Sequence, residues 1–299
     1  MASTRLPRFK RSPNVPSIRL TERDREILRH IHRHRFLRSD HLTSLLPGSR
    51  QQVLRRLRLL YHHGFLERPR CQIDYYHRGG SRSMVYGIGN KGAGLLKREL
   101  LVPYHRIDWP SKNKIQRLFL EHALLVSDVM VAAELACRNR ADVRLLAPEH
   151  VGREPFQWRV EIGRGRVCGV IPDRVFGLEF AGRRKGLNEI WFCLEVDRGT
   201  MPVTRASLDQ SSIYRKFLAY EATWKQNLHR SSLGWARFRV IVVTNNPERV
   251  ATMRQVACSL EHGRGLFLFA VHDALKQSNN LLSFPWASFC EGRTASLLD

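Results

Sequence analysis

From Leu20 onward, apolar and polar positions alternate with a helical period. Thr21 precedes a segment whose first turn holds Glu22 and Asp24, and Ile27, Leu28 and Ile31 form its apolar stripe. Ser39 is placed to cap a short second helix through Leu46. Pro47-Gly48 marks a turn, Ser49 caps a third helix over Arg50–His62, and Gly64 stands where glycine closes helices. Two strand-like pieces follow, Phe65–Arg68 and Met84–Ile88, with Gly79-Gly80 marking a hairpin tip between them. A fourth helix is expected over Lys91–Leu101. Three helices followed by a β-hairpin is the element order of a winged helix.

The pattern breaks over Val102–Ser111, which contains Pro103 and Pro110, and then resumes differently. A long helix is expected over Asn113–Cys137, with Ile115, Leu118, Phe119, Val126, Val129, Met130 and Ala133 at helical spacing. Strands are expected at Gln157–Ile162, Arg174–Phe180, Ile190–Val196, Phe238–Thr244 and Leu266–Val271, and helices at Leu208–Asn227 and Pro247–Ser259. Strands followed by strand-helix-strand units predict an α/β sheet with helices on its faces. The chain therefore divides into a disordered basic arm (1–19), a winged-helix DNA-binding domain (20–101), a sheet domain (112–275) and a weakly patterned C-terminal tail (276–299).

Charge sharpens this picture. Lys and Arg number 50 against 27 Asp and Glu, a net charge of +23. Such a surface attracts polyanions, nucleic acid first among them. No apolar run reaches the roughly 18 residues a spanning helix needs, and the basic start lacks the apolar stretch of a secretory signal. The six cysteines are dispersed and form no C-x-x-C pair, which argues against a disulfide or zinc framework and fits a reducing cytoplasm.

In a helix-turn-helix the second helix of the motif enters the major groove. On the third helix Val53, Leu57 and Leu60 face the core by spacing, leaving Arg50, Gln51, Gln52, Arg55 and Arg56 outward. Arginine suits guanine and glutamine suits adenine through paired hydrogen bonds. Arg58 is placed for phosphate. Arg78 and Arg82, at the hairpin tip, are placed for the minor groove or the backbone.

A second kind of chemistry lies between Val170 and Thr200. One apolar run opens with Pro172-Asp173, and a second ends in Leu194-Glu195-Val196-Asp197. Side chains alternate along a strand, so Glu195 and Asp197 share a face. Arg183-Arg184-Lys185-Gly186 supplies a turn that sets Asp173 on the neighbouring strand. Three converging carboxylates suit Mg²⁺ or Mn²⁺, and such an ion supports phosphodiester hydrolysis. This arrangement resembles the PD-(D/E)xK nuclease superfamily, which has the restriction-endonuclease fold. Asp197 occupies the slot of that superfamily's lysine. Some members carry the lysine on a following helix, where Lys216 lies beside Ile213, Phe217, Tyr220 and Trp224.

From Leu20 to about Leu275 the chain also resembles the replication-relaxation family of bacterial plasmids and mobile elements. The resemblance rests on the winged helix, Glu121-His122-Ala123-Leu124, Pro172-Asp173, Leu194 to Thr200, and Lys216 with Tyr220. It implies an α/β (α+β) chain, a winged helix-turn-helix domain followed by a restriction-endonuclease-like mixed-sheet domain. It implies a cytoplasmic, nucleoid-associated DNA-binding protein that works with replication or relaxase proteins, alone or as a homodimer, and not at a membrane. Two roles stay open: a metal-dependent nuclease or nickase with Asp173, Glu195, Asp197 and Lys216 as its site, or a non-catalytic regulator of replication or transcription on a degenerate nuclease fold.

Overall fold

Thr21 and Asp24 form a reciprocal cap on the first helix, α1 (Glu22–His34), with the Thr21 N–H donating to Asp24 Oδ2 at 2.7 Å. Asp24 is fully buried, and Arg56 Nε donates to its Oδ1 at 2.8 Å. Burial alone would raise its pKa; Arg56 and the Thr21 donors outweigh burial and hold it below the ordinary value. Ile27, Leu28 and Ile31 are fully buried, as their spacing requires. The computed structural model describes residues 6–73, 83–100, 117–147, 156–184, 186–278, 280–289 and 292–299. The chain divides into two compact units, Met1–Val131 and Ala132–Asp299.

In the first unit α1 is followed by β1 (Phe36–Arg38), α2 (Ser39–Leu45), α3 (Arg50–His62), β2 (Leu66–Glu67), β3 (Val85–Ile88) and α4 (Asn90–Leu100). The strands form an antiparallel sheet in the order β1-β3-β2. This is the expected three helices and two strands with one strand more: β1, three residues wedged between two helices, is too short to show any alternation. Ser49 caps α3, accepting from the Gln52 N–H at 3.3 Å, and Gly64 closes it at φ +85°. The expected hairpin tip, with Arg78 and Arg82, lies outside the described residues, as do the expected linker and the start of the long helix.

The basic arm, expected to be disordered, is held from Arg8 onward. Arg11 Nε donates to Tyr61 O at 3.0 Å, the Ser12 N–H donates to His62 Nδ1 at 3.1 Å, and Arg56 reaches Arg19 O at 3.0 Å. Arg68 donates to Arg8 O at 2.6 Å while its guanidinium stacks 4.1 Å from the Tyr61 ring centroid. Arginine side chains thus tie the backbone carbonyls of the arm, Arg8 and Arg19, and of the end of α3, Tyr61, to the rest of the unit.

Gly92 shows how closely α4 is packed. A Cβ there would stand 2.3 Å from the Phe65 carbonyl oxygen. In an open helix Gly→Ala stabilises by about 1 kcal/mol. Here we expect the reverse, a loss of about 1–3 kcal/mol from forced backbone displacement. Urea unfolding of Gly92→Ala measures it, and a gain in stability would contradict the packing described.

The long helix α5 (Arg117–Arg138) carries the boundary between the units. Leu120 and Leu124 pack with Phe36 and Val85, and Ser127 Oγ donates to Phe36 O at 2.7 Å. Asp128 pairs with Arg38 and, at 2.8 Å, with His41 Nε2. These contacts assign the early turns of α5 to the first unit, so the boundary falls beyond the Pro-containing segment that marked it in the sequence.

The second unit contains β4 (Val143–Leu146), β5 (Trp158–Glu161), β6 (Val167–Val170), β7 (Arg174–Phe180), β8 (Glu189–Asp197), α6 (Ile213–Lys225), α7 (Leu228–Ser231), β9 (Phe238–Thr244), α8 (Pro247–Cys258), β10 (Phe267–Val271), α9 (His272–Gln277), β11 (Trp286–Ala287) and β12 (Thr294–Ala295). Its seven-stranded sheet has the order β12-β11-β10-β9-β8-β7-β4. β4, β7 and β8 run antiparallel as a meander, and β8, β9 and β10 run parallel. β7 and β8 are covered on both faces, which is why they read as near-continuous apolar runs. The core holds stacked Trp191 and Trp235, with ring centroids 5.6 Å apart, and Phe217 against Phe267 at 4.4 Å. Each such ring contributes roughly 1.5–3 kcal/mol by burial.

The tail joins this sheet, because Leu281, Leu282, Trp286 and Leu297 are buried and carry β11 and β12 into place. α6 starts at Ile213, later than its apolar pattern suggested, because Ser212 accepts from the Arg215 N–H at 3.1 Å and caps it. Among the described residues no helix is long and apolar enough to cross a membrane, and Cys71, Cys137, Cys168, Cys193 and Cys258 are free thiols.

Candidate functional site

The acidic residues converge because of strand register. β7 and β8 pair Arg174 with Leu194, and the ladder continues to Asp173, whose N–H donates to Leu194 O at 3.0 Å. Asp173 Oδ2 in turn accepts the Val196 N–H at 2.7 Å. Its carboxylate is thereby fastened to β8 at the residue between Glu195 and Asp197.

Glu195 is 6% exposed. Its Oε2 accepts from Lys216 Nζ at 2.6 Å and its Oε1 from the Tyr220 hydroxyl at 2.6 Å. Lys216 and Tyr220 are four apart on α6, one above the other on a single helix face. Burial raises the Glu195 pKa above its ordinary 4.5; Lys216 opposes the rise and Asp173 adds to it. Burial pulls the Lys216 pKa down, but Glu195 outweighs it and the net shift is upward. Tyr220 is raised well above 10.0, chiefly by burial and then by Glu195, so it stays a neutral donor.

Asp197 is held differently. Arg249 Nε donates to Oδ2 at 2.6 Å and Arg249 Nη2 to Oδ1 at 2.9 Å, a two-pronged pair. Thr244 Oγ1 and the Gly199 N–H add bonds at 3.2 Å each. Both oxygens of Asp197 are taken up by these donors.

The structure thus gathers Asp173, Glu195 and Lys216 and turns Asp197 to Arg249. Asp173 is tied to the backbone N–H of Val196, the residue after Glu195, and its charge adds to the rise in the Glu195 pKa, while Lys216 holds the other side of that carboxylate. Carboxylate oxygens are the donors that a divalent cation of the Mg²⁺ or Mn²⁺ kind takes; both Glu195 oxygens here accept from Lys216 and Tyr220, and both Asp197 oxygens from Arg249. Ile213, Phe217 and Tyr220 are buried on the Lys216 side of α6, whereas Trp224 is 44% exposed and lies off the core. Glu121 sits half-buried in an i,i+4 pair with Arg117 at 2.7 Å. Sequence reasoning missed Arg249. The available signal was topological: parallel pairing sets Asp197 opposite Thr244, and the helix that follows β9 presents Arg249 in its first turn.

On α3, Val53, Leu57 and Leu60 are fully buried, while Arg50, Gln51, Gln52, Arg55 and Arg58 are exposed. Gln52 Oε1 accepts from Arg23 at 3.1 Å. Arg56, grouped by spacing with the outward residues, is bound to buried Asp24 instead. The periodicity could not separate it, because the carboxylate it serves lies on another helix.

Neither a search of curated proteins nor one of solved structures finds a match. The replication-relaxation family model matches residues 28–234, more than half of the chain and both the α3 surface and the Asp173–Glu195–Lys216 cluster, and the chain belongs to that family.

Proposed function

We propose that this protein binds duplex DNA through α3 and cuts or nicks its backbone at Asp173, Glu195 and Lys216. Its family suggests a role in the replication or relaxation of plasmids and mobile elements and implies interaction with DNA. The observation that carries the catalytic reading is the 2.6 Å contact between Lys216 and Glu195 beside Asp173. A carboxylate pair with a lysine is the set such a cleavage reaction would use, and here the lysine comes from α6 and not from β8. Asp173 and Glu195 would hold a divalent cation, which supplies Lewis acidity to a phosphate oxygen and to water when bound. Lys216 positions an incoming water or the phosphate by its positive charge, and Tyr220 fixes the Glu195 carboxylate. On α3, Arg50, Gln51, Gln52 and Arg55 are the base-reading set and Arg58 a phosphate contact. The second reading, a non-catalytic DNA-binding regulator, is favoured by Asp197, whose guanidinium partner makes it unlike a metal ligand.

Supercoiled plasmid incubated with Mn²⁺ or Mg²⁺ tests the catalytic reading: nicked or linear product supports it, and intact plasmid across both metals and a range of duplex and single-stranded substrates supports the regulator. The pH dependence follows from Glu195. It must be ionised to hold a cation, and its pKa is raised, so cation binding and cleavage switch on as pH rises through a midpoint above 4.5. Lys216, raised as well, remains charged on the alkaline side of that step. Mn²⁺ titration between pH 4 and 8, followed by calorimetry, measures the midpoint; one at or below the ordinary glutamate value would remove Glu195 from the site.

A further inference from the structure

The hairpin β5–β6 lies in sequence between β4 and β7 and forms a separate two-stranded sheet. Its register pairs Trp158 with Val170, Arg159 with Gly169, Val160 with Cys168 and Glu161 with Val167. Alternation sorts these residues onto two faces. Trp158, Val160, Cys168 and Val170 join the core, and Trp158 Nε1 donates to Thr223 Oγ1 of α6 at 2.8 Å. The opposite face carries Arg159, Glu161, Val167 and Gly169, all exposed, and continues into Ile171, which is 64% exposed. A Cβ at Gly169 would meet nothing within 4 Å, so the ground opposite Arg159 is open.

The hairpin tip is also basic. Gly163, Arg164 and Gly165 have φ of +106°, +53° and +70°. Glycine adopts such angles without penalty, whereas arginine does so only against one. Arg164 and Arg166 are exposed there, and Arg166 makes a surface pair with Asp209 at 3.3 Å. Glu161, the single acidic residue of the hairpin, turns its Oε1 to the Gly165 N–H at 3.0 Å and braces the turn.

A two-stranded antiparallel ribbon fits the major groove of B-DNA. This ribbon is anchored on one face, carries Arg159 and Glu161 on the open one and Arg164 and Arg166 at its tip, and leads through Ile171-Pro172 directly into Asp173. We propose that β5–β6 is a second DNA-gripping element, laid along a duplex with Arg159, Arg164 and Arg166 on phosphates, that brings the backbone to Asp173. It rests on the DNA-processing reading and adds to it a duplex contact within the sheet unit itself.

The test uses the full chain and fluorescence anisotropy with a labelled duplex between 50 and 200 mM salt. Removing one cation from a phosphate reduces the slope of log K against log salt by about 0.9. Arg159→Ala/Arg164→Ala/Arg166→Ala should lower the slope by about 2–3 and weaken binding at least tenfold, equally for all sequences. Lysine at the same three positions should restore the slope, since holding a phosphate needs charge rather than a planar fork. Arg50→Ala/Gln51→Ala in α3 should instead erode discrimination between sequences. An unchanged slope and affinity in the ribbon variant, with weakened binding in the α3 variant, overturns the ribbon and leaves the DNA-processing reading standing. A wild-type chain that binds no duplex removes both.

Discussion

Asp173→Asn is expected to abolish metal-dependent cleavage of plasmid DNA, by about 100-fold or more, while leaving the thermal midpoint nearly unchanged. The choice of asparagine separates charge from scaffold. Asp173 Oδ2 accepts the Val196 N–H at 2.7 Å, and an alanine would orphan that donor at a cost of about 1–3 kcal/mol. Asparagine keeps an acceptor in place and removes only the negative charge that a divalent cation requires. Losing such a charged group at a reacting phosphate removes roughly 10²–10³ in rate, the scale seen when one preorganised electrostatic interaction is deleted. The variant has a second effect, which tests whether the two carboxylates interact. Asp173 contributes to the raised pKa of Glu195 by repulsion, so neutralising it lowers the Glu195 pKa. A downward shift of the Glu195 titration with loss of cleavage places both carboxylates in one site. Cleavage at the wild-type rate would remove Asp173 from the chemistry and leave the DNA-binding half of the proposal alone.

The sequence carried much of this arrangement, and its failures have identifiable causes. The stripe Ile27, Leu28, Ile31 and the face Val53, Leu57, Leu60 were legible because a helix packing on one side repeats its apolar positions at a fixed period. β7 and β8 were legible as long apolar runs because both of their faces are covered. β1, β11 and β12, of two or three residues, and β4 and β6, of four, were not, since such short strands offer little alternation to detect. Glu195 and Lys216 could be linked by resemblance, but the partners of charged groups come from register and from helix placement, which local pattern does not encode. Arg56 and Asp197 illustrate this. Each was grouped by spacing with its neighbours, and each is tied to a residue on another element: Arg56 to Asp24, and Asp197 to Arg249.

Arg249→Ala should therefore destabilise the sheet unit without weakening divalent-cation binding. The Asp197 side chain is 4% exposed and the Arg249 side chain 19% exposed. Arg249 also donates to Met201 O at 2.8 Å, so it ties the end of β8 to the loop that follows and to the first turn of α8. Removing one member of a buried pair leaves a desolvated charge and costs about 3–5 kcal/mol, a large share of the roughly 5–15 kcal/mol that holds a typical domain together. The Thr244 hydroxyl and the Gly199 N–H still reach Asp197 at 3.2 Å each, which places the expected loss near the lower end, about 3 kcal/mol. Replacing both partners by apolar residues of similar bulk, Asp197→Leu with Arg249→Met, should recover most of it, because no unpaired charge remains. Urea unfolding of Asp197→Leu, of Arg249→Met and of the double variant closes a thermodynamic cycle, and a coupling of more than about 1 kcal/mol marks the pair as structural. Mn²⁺ affinity of Arg249→Ala, measured under conditions where the variant is folded, decides the remaining question. An unchanged affinity keeps Asp197 out of the ion's coordination; a several-fold tighter affinity with undiminished stability would show that the guanidinium occupies the place of a cation and that Asp197 is a third ligand.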